Sequence, residues 1–442
     1  MNRRSIDLPG VGRGSSLTTQ AVLAVMLAVT AGCDLSSVLR QDQPESVSGD
    51  ALDNPAALGP LMSGTIGDFE CAMGSYGFIG GLMSDELEDS GLSLGRWSYD
   101  RRRPDPNDGS AQGYAVAGCP QLQSGVYLPL STARFTAEDV MRRLENFTDN
   151  QVADRQGKIA TAALYAGFTF AVLGEAMCTA AVNAGPELSR ANLQDSAVAY
   201  FTAAIAASQL AIGGGGDITR WQDIGRAALV GRARSKLNKG DVAGALADAR
   251  QAPSSGFVWN ATYTQGVLRR DNQLWYAIVN NKVASIEPSF RDLNDPRVPV
   301  ARAGVGTDRR PYWTAATYST GSSPIPIASS EEAQLIAAEV EAATGNEASA
   351  VGRINSLRSS VGLEPYSGIT TPAAVQTAVR EERRRELFLE GRRLNDLYRY
   401  GETLAPFVPP VGVAFLPGKG GTYGNARCFP LPSAEKDNNP NI

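Results

Sequence analysis

The chain of 442 residues contains no histidine. Without an imidazole it cannot build a Ser-His-Asp or Cys-His catalytic centre, and zinc and non-haem iron sites lose their commonest nitrogen ligand. Positive charge is not in excess either, with 41 Lys and Arg against 46 Asp and Glu. The sequence therefore predicts no metal site, no cofactor and no nucleic-acid partner.

Long apolar runs are also scarce, and the clearest one lies near the N-terminus. Arg3 and Arg4 precede the apolar run AVLAVMLAVTA, which is too short for a bilayer span of roughly 20 residues but typical of a signal peptide. The run ends in TAGC, which resembles a bacterial lipobox and implies that Cys33 is acylated. We therefore expect a lipoprotein signal peptide over 1–32 and a lipidated tether over 33–48. An ordinary signal peptide stays open, as does twin-arginine rather than Sec export, and no other segment is expected to cross a membrane.

Export permits disulfide bonds, and four cysteines remain after Cys33. Cys71, Cys119, Cys178 and Cys428 allow three pairings, and none sits in a metal-like cluster. We favour Cys71 with Cys119 and Cys178 with Cys428, the second of which would tie the tail to a helix. Four free thiols remain an alternative.

The rest of the chain, 49–442, is predicted to be a single unit that is mainly α-helical. Helical periodicity covers about 130–250 and 330–400, an irregular insertion rich in aromatics covers about 251–329, and a Pro- and Gly-rich tail covers 405–442. The paired helices resemble tetratricopeptide hairpins, and Trp221 is expected in their core. The predicted helices span 135–147 with Thr136 as cap, 149–178, 189–211, 221–237, 241–250 with Asp241 as cap, a pair over 331–345 and 346–362, and 372–400.

The stretch EERRRELFLEGRRLNDLYRYG, residues 381–401, combines six arginines with five carboxylates. On one helix, Arg383 and Glu386 are neighbours, and so are Glu390 and Arg393. These charges share the helix half that carries most of the apolar residues, so we interpret them as an internal ionic network. A basic patch for nucleic acid would not contain nearly as many carboxylates as arginines.

The same stretch carries a family resemblance. RELFLEGRRLNDLYRYG is similar to the C-terminal signature of SusD/RagB-like outer-membrane lipoproteins. EEAQLIAAEVEAATGNEASAVGRINSLRSSVGL resembles the helical pair that precedes this signature, and CFPLPSAEKDNNPNI resembles the usual terminal segment. The lipobox-like TAGC and the SDEL segment at 84–87 also fit. The resemblance is dense over about 330–442, looser over 33–250 and weak over 251–329.

This resemblance implies a tetratricopeptide-like scaffold with an irregular ligand-binding region. It implies a lipid-anchored protein of the outer membrane, facing the cell exterior, that binds a nutrient. The ligand would be an oligo- or polysaccharide, or alternatively a peptide. The implied partner is a SusC-like TonB-dependent transporter that receives the ligand.

Sugars bind to aromatic faces and to polar side chains beside them. We expect the ligand site among aromatics of the irregular segments, which are Trp97, Tyr99, Trp259, Trp275, Tyr276, Trp313 and Tyr318. Asp295, Arg297 and Arg309 lie in the same loops and are candidate polar contacts.

Two other classes of function remain open on the residues alone. Glycoside hydrolysis needs only two carboxylates, and Asp85-Glu86 and Glu331-Glu332 are adjacent acids. Neighbours on one helix point in different directions, so we expect no enzyme. A purely protein-binding scaffold is the second alternative.

Overall fold

The fold is mainly α-helical, as the sequence predicts. The computed structural model describes residues 49–110, 113–123, 125–401 and 409–442, so Cys33, the predicted signal peptide and the tether lie outside the described residues. Within that part of the chain, the α-helices are α1 (Leu58–Met83), α2 (Leu94–Asp100), α3 (Tyr127–Glu145), α4 (Arg155–Ala176), α5 (Arg190–Gly214), α6 (Ile218–Asn238), α7 (Val242–Gln251), α8 (Gln273–Trp275), α9 (Ser330–Ala343), α10 (Glu347–Ser360), α11 (Pro372–Glu386), α12 (Arg393–Tyr400) and α13 (Ser433–Asn438).

The strands are short and pair only in twos among the described residues. The antiparallel pairs are β1 with β5, β2 with β3, β4 with β8, and β6 with β7. The strands are β1 (Leu87–Asp89), β2 (Thr179–Ala181), β3 (Glu187–Ser189), β4 (Val258–Ala261), β5 (Ala284–Ile286), β6 (Val300–Val305), β7 (Pro311–Ala315) and β8 (Ile325–Ser329).

Helices that follow one another along the chain pack together as hairpins. Helix α4 packs between α3 and α5, α5 packs on α6, and α6 on α7, while α9 contacts α7, α10 and α11. Gly167 of α4 lies against the ring of Phe201 in α5, where a Cβ would come within 2.7 Å of a ring carbon. Small residues on α4 thus let the helices approach closely. Trp221 is 6 % exposed, in the core as expected.

Polar caps set where several helices begin. The Asp241 side chain accepts a hydrogen bond from the Gly244 N–H at the start of α7, as predicted. Ser189 and Asn192 form a reciprocal capping box at the start of α5. The predicted cap at Thr136 is wrong, because α3 already begins at Tyr127 and Thr136 lies inside it.

The predicted helix over 372–400 is also wrong in one respect. It is two helices, α11 and α12, separated by a turn in which Leu389 and Gly391 have φ of 63° and 72°. Leu389 pays a steric cost in this left-handed conformation, and partners from elsewhere in the chain hold it there. Its N–H donates to Glu86 Oε1 at 2.7 Å, and its carbonyl accepts from the Tyr318 hydroxyl at 3.2 Å.

The charged residues of this turn are internal but pair differently from the prediction. Arg383 binds Asp396, with Nε 2.9 Å from Oδ2, and Arg393 binds Asp85, with Nη2 2.7 Å from Oδ2. Glu386 binds Arg297 of the insertion at 3.0 Å rather than Arg383. Arg383 and Glu386 share α11 but are each taken by a partner from outside that helix. The turn after α11 separates Glu390 from Arg393, which binds Asp85 instead.

Glu390 is the fourth predicted member of that network. No ion pair forms at its carboxylate within the described residues, and burial raises its pKa well above the ordinary value. The predicted pair with Arg393 is therefore absent, since Arg393 is taken by Asp85.

Two disulfides tie the unit together in the pairing favoured from the sequence. Cys71 of α1 is bonded to Cys119, with Cα atoms 5.6 Å apart. Cys178, just after α4, is bonded to Cys428, with Cα atoms 5.0 Å apart, and this bond fastens the tail to the scaffold.

The expectation that no further segment could cross a membrane needs correction. By length and composition alone, α4 and α5 are both long and apolar enough to do so among the described residues. For α4 the reason is internal packing, because 94 % of its most apolar window is buried in the fold. In α5 only 33 % of the most apolar window is buried, so internal packing accounts for less of its apolar character.

Candidate functional site

The β6–β7 hairpin is attached to the scaffold through two other short strands. Strand β1 follows α1 directly and pairs with β5, placing Glu88 opposite Ser285. The Ser285 hydroxyl oxygen accepts a hydrogen bond from the Trp313 N–H at 3.0 Å, which fixes β7 beside β5. Trp313 is thus held on a framework that begins at the end of α1.

Trp97 is fixed to the same framework from the other side. It lies on the short helix α2, and its Nε1 donates to Asp89 Oδ1 at 3.1 Å, at the end of β1. The Lys419 ammonium lies 5.7 Å from the centroid of the indole, within range of a cation–π interaction. Trp97 is half-buried as a residue, and its indole nitrogen is held by Asp89.

Lys419 connects three separate segments of the chain. Its Nζ lies 2.8 Å from Asp89 Oδ1 and 2.9 Å from Asp308 Oδ2, and it also donates to the Asp89 carbonyl. Its side chain is only 3 % exposed. Buried charges of this kind must be paired, so Lys419 fixes the tip of the β6–β7 hairpin and the tail against β1.

The ionic contacts continue from the hairpin tip to Trp313. Arg310 lies 3.6 Å from Asp308 and 3.2 Å from Glu88 Oε2, and the second oxygen of Glu88 accepts from Arg291 at 2.7 Å. The Arg291 Cζ atom lies 3.6 Å from the centroid of the Trp313 ring. An unbroken series of polar contacts therefore joins Trp97 to Trp313, and Arg291 covers one face of the second indole.

Exposed apolar side chains lie on the segments next to these tryptophans. Leu92 and Leu94 are 68 % and 71 % exposed, and Val305 is 59 % exposed. The two segments touch, because the Asp308 N–H donates to the Ser90 carbonyl at 2.9 Å. We call this region the hairpin surface, and it comprises Leu92, Leu94, Trp97, Lys282, Arg302, Val305, Arg309 and Trp313.

Burial raises the pKa of two nearby carboxyl groups and so disfavours their charged forms. Asp100 accepts from the Asp89 N–H at 2.6 Å, and desolvation raises its pKa well above the ordinary value. Desolvation also raises the pKa of Glu287 to about 7. The charge beneath the hairpin surface is thus carried mainly by residues in the ion pairs described above.

Two of the seven predicted ligand aromatics are wrong as surface residues. Tyr99 is 0 % exposed, packs against Tyr114 and Phe429, and accepts from the Tyr114 N–H at 2.7 Å. Tyr318 is 3 % exposed and donates to Leu389. Both are core residues, because each turns its ring inward to reach a backbone partner.

The other three predicted aromatics lie on other elements. Trp259 is on β4, opposite Ala328 of β8, and packs against the core. Trp275 and Tyr276 are half-buried neighbours whose rings meet edge to face, with centroids 6.3 Å apart. Of the predicted aromatics, only Trp97 and Trp313 are joined by the series of polar contacts described above, which we call the polar lattice.

Of the three predicted polar contacts, one is available. Arg297 binds Asp295 at 2.8 Å, Glu382 at 2.8 Å and Glu386 at 3.0 Å, so Arg297 and Asp295 serve the internal network. Arg309 is exposed at the hairpin tip. Nothing in the local sequence pattern marks residues that meet only after folding, and this is the case for Glu88, Asp89, Arg291 and Lys419.

Three of the four acids considered for hydrolysis are engaged internally, and the fourth, Glu331, is half-buried. Asp85 binds Arg393, Glu86 binds the Leu389 N–H, and Glu332 binds Arg234 with both partners about 1–2 % exposed. No group of His, Cys, Asp and Glu is placed to hold a metal in the part of the chain that the structure describes.

Two cavities lie away from the hairpin surface. One of about 250 Å³ lies between the ends of α4, α5 and α6, beside Trp221. The other, of about 330 Å³, follows the loop from Asp292 to Val300. Neither is lined by the two tryptophans.

The helical scaffold with its irregular insertion is similar in fold to solved SusD superfamily proteins. A SusD superfamily protein from Bacteroides vulgatus is similar over 88 % of this chain and 97 % of its own, with a TM-score of 0.64 and 16 % identity. A SusD homolog from Bacteroides thetaiotaomicron is similar over 88 % of this chain and 96 % of its own, with a TM-score of 0.65 and 15 % identity. A SusD-like carbohydrate binding protein from Bacteroides vulgatus is similar over 78 % of this chain and 83 % of its own, with a TM-score of 0.56 and 15 % identity.

The sequence itself carries the family match at its C-terminal end. Residues 308–442 match the SusD family. No match is found among curated proteins. The resemblance to SusD/RagB-like proteins inferred from the charged signature is confirmed by this match and by the shared fold.

Proposed function

We propose that this protein binds a nutrient glycan at the hairpin surface and passes it to a TonB-dependent transporter of the outer membrane. The observation that carries the proposal is the pair Trp97 and Trp313, both half-buried and joined by one series of polar contacts. Sugar rings bind to aromatic faces held rigidly beside polar groups. The family match and the carbohydrate-binding relative support a glycan as ligand.

The polar lattice makes the two indoles suited to this task. A binding site gains affinity when its side chains are already fixed in the bound geometry. Trp97 is fixed by Asp89, and Trp313 by Arg291 and by its own backbone bond to Ser285. Leu92, Leu94 and Val305 supply further apolar area at the same surface.

Cell-surface anchoring and transporter docking belong to the same proposal. Acylation of Cys33 would hold the protein at the outer membrane, facing the exterior, with the tether giving reach. The SusC-like partner would contact the helical hairpins and leave the insertion free for ligand. We assign no catalytic role, because Asp85, Glu86 and Glu332 are each committed to an internal partner.

A binding panel tests the proposal. Isothermal titration of the chain against oligosaccharides and peptides is expected to give a glycan ligand. Trp97→Ala with Trp313→Ala is expected to weaken glycan binding about 5- to 150-fold, because two stacking contacts of about 0.5–1.5 kcal/mol each are lost. Trp275→Ala is the matched control, since it removes a half-buried tryptophan on another element. Loss of binding with the control but not with the double variant would move the site to α8.

Two results of the panel would replace the proposal. Binding of peptides and of no glycan would identify a peptide-importing relative. If no oligosaccharide and no peptide binds, and a transporter barrel co-purifies with the protein, the protein would be a protein-binding scaffold instead.

A further inference from the structure

Three cations of the hairpin surface have no acidic partner. Lys282, Arg302 and Arg309 are all exposed, and none forms an ion pair with another described residue. Arg291 and Arg310, from the same insertion, are both bound to Glu88. The surface therefore keeps three unpaired positive charges beside two cations that share one carboxylate.

Arg302 lies next to the tryptophan proposed to bind ligand. It is the direct register partner of Trp313 across the β6–β7 ladder. Side chains of directly opposed residues lie on the same face of an antiparallel pair, with Cβ atoms about 5 Å apart. A ligand that contacts the Trp313 indole thus comes within reach of the Arg302 guanidinium.

Lys282 and Arg309 flank the tip of the same hairpin. The Lys282 carbonyl accepts from the Ser90 hydroxyl at 2.9 Å and from the Thr307 hydroxyl at 3.3 Å, which places Lys282 directly beneath the tip. Arg309 is in the tip itself, where its N–H donates to the Gly306 carbonyl at 3.1 Å. Lys282 and Arg309 have φ of 52° and 65°, an uncommon conformation for such side chains.

The ion pairs below the surface do not cancel this charge. The lattice contains three acids, Glu88, Asp89 and Asp308, against four bases, which are Arg96, Arg291, Arg310 and Lys419. Burial raises the pKa of the neighbouring Asp100 well above its ordinary value, so that carboxyl adds little negative charge. The lattice and the free cations thus have the same sign, although the whole chain is acidic with net charge −5.

We propose that the glycan recognised at the hairpin surface is polyanionic, carrying carboxylate or sulfate groups that bind Lys282, Arg302 and Arg309 while a sugar ring rests on Trp313. This inference rests on the proposed function and names the ligand class. Arginine forks suit carboxylate and sulfate oxygens, and hydrogen bonds to such groups are stronger than those to neutral hydroxyls. A neutral glycan would offer the three cations only hydroxyl acceptors, with which they form weaker hydrogen bonds.

The test compares charged and neutral forms of the same polymers by isothermal titration. The probes are oligogalacturonate against its methyl-esterified form, and dextran sulfate against dextran. The intact protein is expected to bind at least one anionic form about tenfold or more tightly than its neutral counterpart, an advantage of about 1.4 kcal/mol. If oligogalacturonate binds and dextran sulfate does not, the recognised group is a carboxylate. If dextran sulfate binds and oligogalacturonate does not, the recognised group is a sulfate.

Matched variants separate specific recognition from general attraction of polyanions. Arg302→Ala with Arg309→Ala is expected to lose at least tenfold affinity for the anionic probe. Arg220→Ala with Lys436→Ala removes the same charge from exposed cations of α6 and α13, and is expected to change affinity less than twofold.

Three outcomes would overturn the inference. Equal affinity for charged and neutral forms, or equal losses in both double variants, would show that the free cations do not select the ligand, while the proposed glycan function would stand. Absence of binding to every glycan, charged or neutral, would remove the proposed function together with this inference.

Discussion

The Lys419 ammonium lies 2.9 Å from Asp308 Oδ2, although the two residues belong to the tail and to the insertion. Both side chains are almost fully buried, with 3 % and 4 % exposure. The same ammonium binds Asp89 of β1. This one cation therefore holds in place the hairpin that presents Trp313 and the strand that anchors Trp97.

Replacing Lys419 with methionine tests that role. Lys419→Met keeps the length of the side chain but leaves Asp89 and Asp308 without their shared cation. Breaking a buried ion pair costs about 3–5 kcal/mol, so the free energy of unfolding is expected to fall by about that amount in urea denaturation. The exposed Lys436→Met variant on α13 is the control and is expected to change it by less than about 0.5 kcal/mol. Equal stability of the two variants would contradict the role of Lys419.

Tyr318 is expected to act as a structural clamp rather than as a ligand residue. Its hydroxyl donates to the carbonyl of left-handed Leu389. Tyr318→Phe leaves that carbonyl without its donor, and we expect a loss of about 1–2 kcal/mol in unfolding free energy with no change in ligand affinity. Tyr366→Phe, which removes a solvent-accessible bond to the Ile369 carbonyl, is the matched control and should cost less. Weaker ligand binding with unchanged stability in Tyr318→Phe would restore it to the binding site.

Stability is expected to fall as pH rises through neutrality because of Glu86. Burial raises its pKa from 4.5 to about 8 in the folded state. Between these values the folded state binds the proton more strongly than the unfolded state, so raising the pH lowers the free energy of unfolding, by up to about 1.4 kcal/mol per pH unit. Glu86→Gln retains an oxygen for the Leu389 N–H and cannot ionise.

Urea denaturation between about pH 5 and about pH 8 measures this effect. Glu86→Gln is expected to give a shallower decline with pH than the parent, and the exposed Glu364→Gln variant is expected to keep the parental slope. A parental stability that rises over this range, or an unchanged slope in Glu86→Gln, would show that Glu86 does not carry a raised pKa.

The two disulfides are expected to contribute unequally. Cys178 and Cys428 are separated by 250 residues, and Cys71 and Cys119 by 48. In the chain-entropy treatment the longer loop contributes about 5.5 kcal/mol and the shorter about 4 kcal/mol. Replacing Cys178 and Cys428 by serine should therefore lower the denaturation midpoint more than replacing the other pair. The reverse order would show that local packing around Cys71 outweighs loop entropy.

Most of the scaffold was predictable because its signals are local. The start of α7 follows from an aspartate cap ahead of an apolar pattern, and the end of α5 from the glycine run at 213–216. The internal position of Arg383 and Arg393 also followed from their place on the apolar half of the pattern. These features depend on residues within one or two turns of each other.

The break between α11 and α12 was not predictable for the opposite reason. Glu86 lies 303 residues before Leu389, and Tyr318 lies 71 residues before it. Contacts that distant fix a left-handed leucine that no local pattern would favour. Once the chain turns there, Arg393 meets Asp85 instead of Glu390.

The candidate site was predictable only in part. Trp97 and Tyr99 lie two positions apart, and the sequence predicts an irregular segment for both. On α2 they point to opposite sides, so Trp97 is only half-buried while Tyr99 lies in the core. Trp313 and Arg309 were identified from the composition of the insertion. The lattice that joins the two tryptophans was not, because Asp89, Asp308 and Lys419 come from three distant segments.

A crystal structure of the protein with the tightest-binding oligosaccharide from the panel tests the central claim most directly. The account predicts a sugar ring in van der Waals contact, within about 4 Å, of the indole of Trp97 or Trp313. A ligand bound in the cavity beside Trp221, or against Trp275 and Tyr276, with the hairpin surface empty, would contradict it.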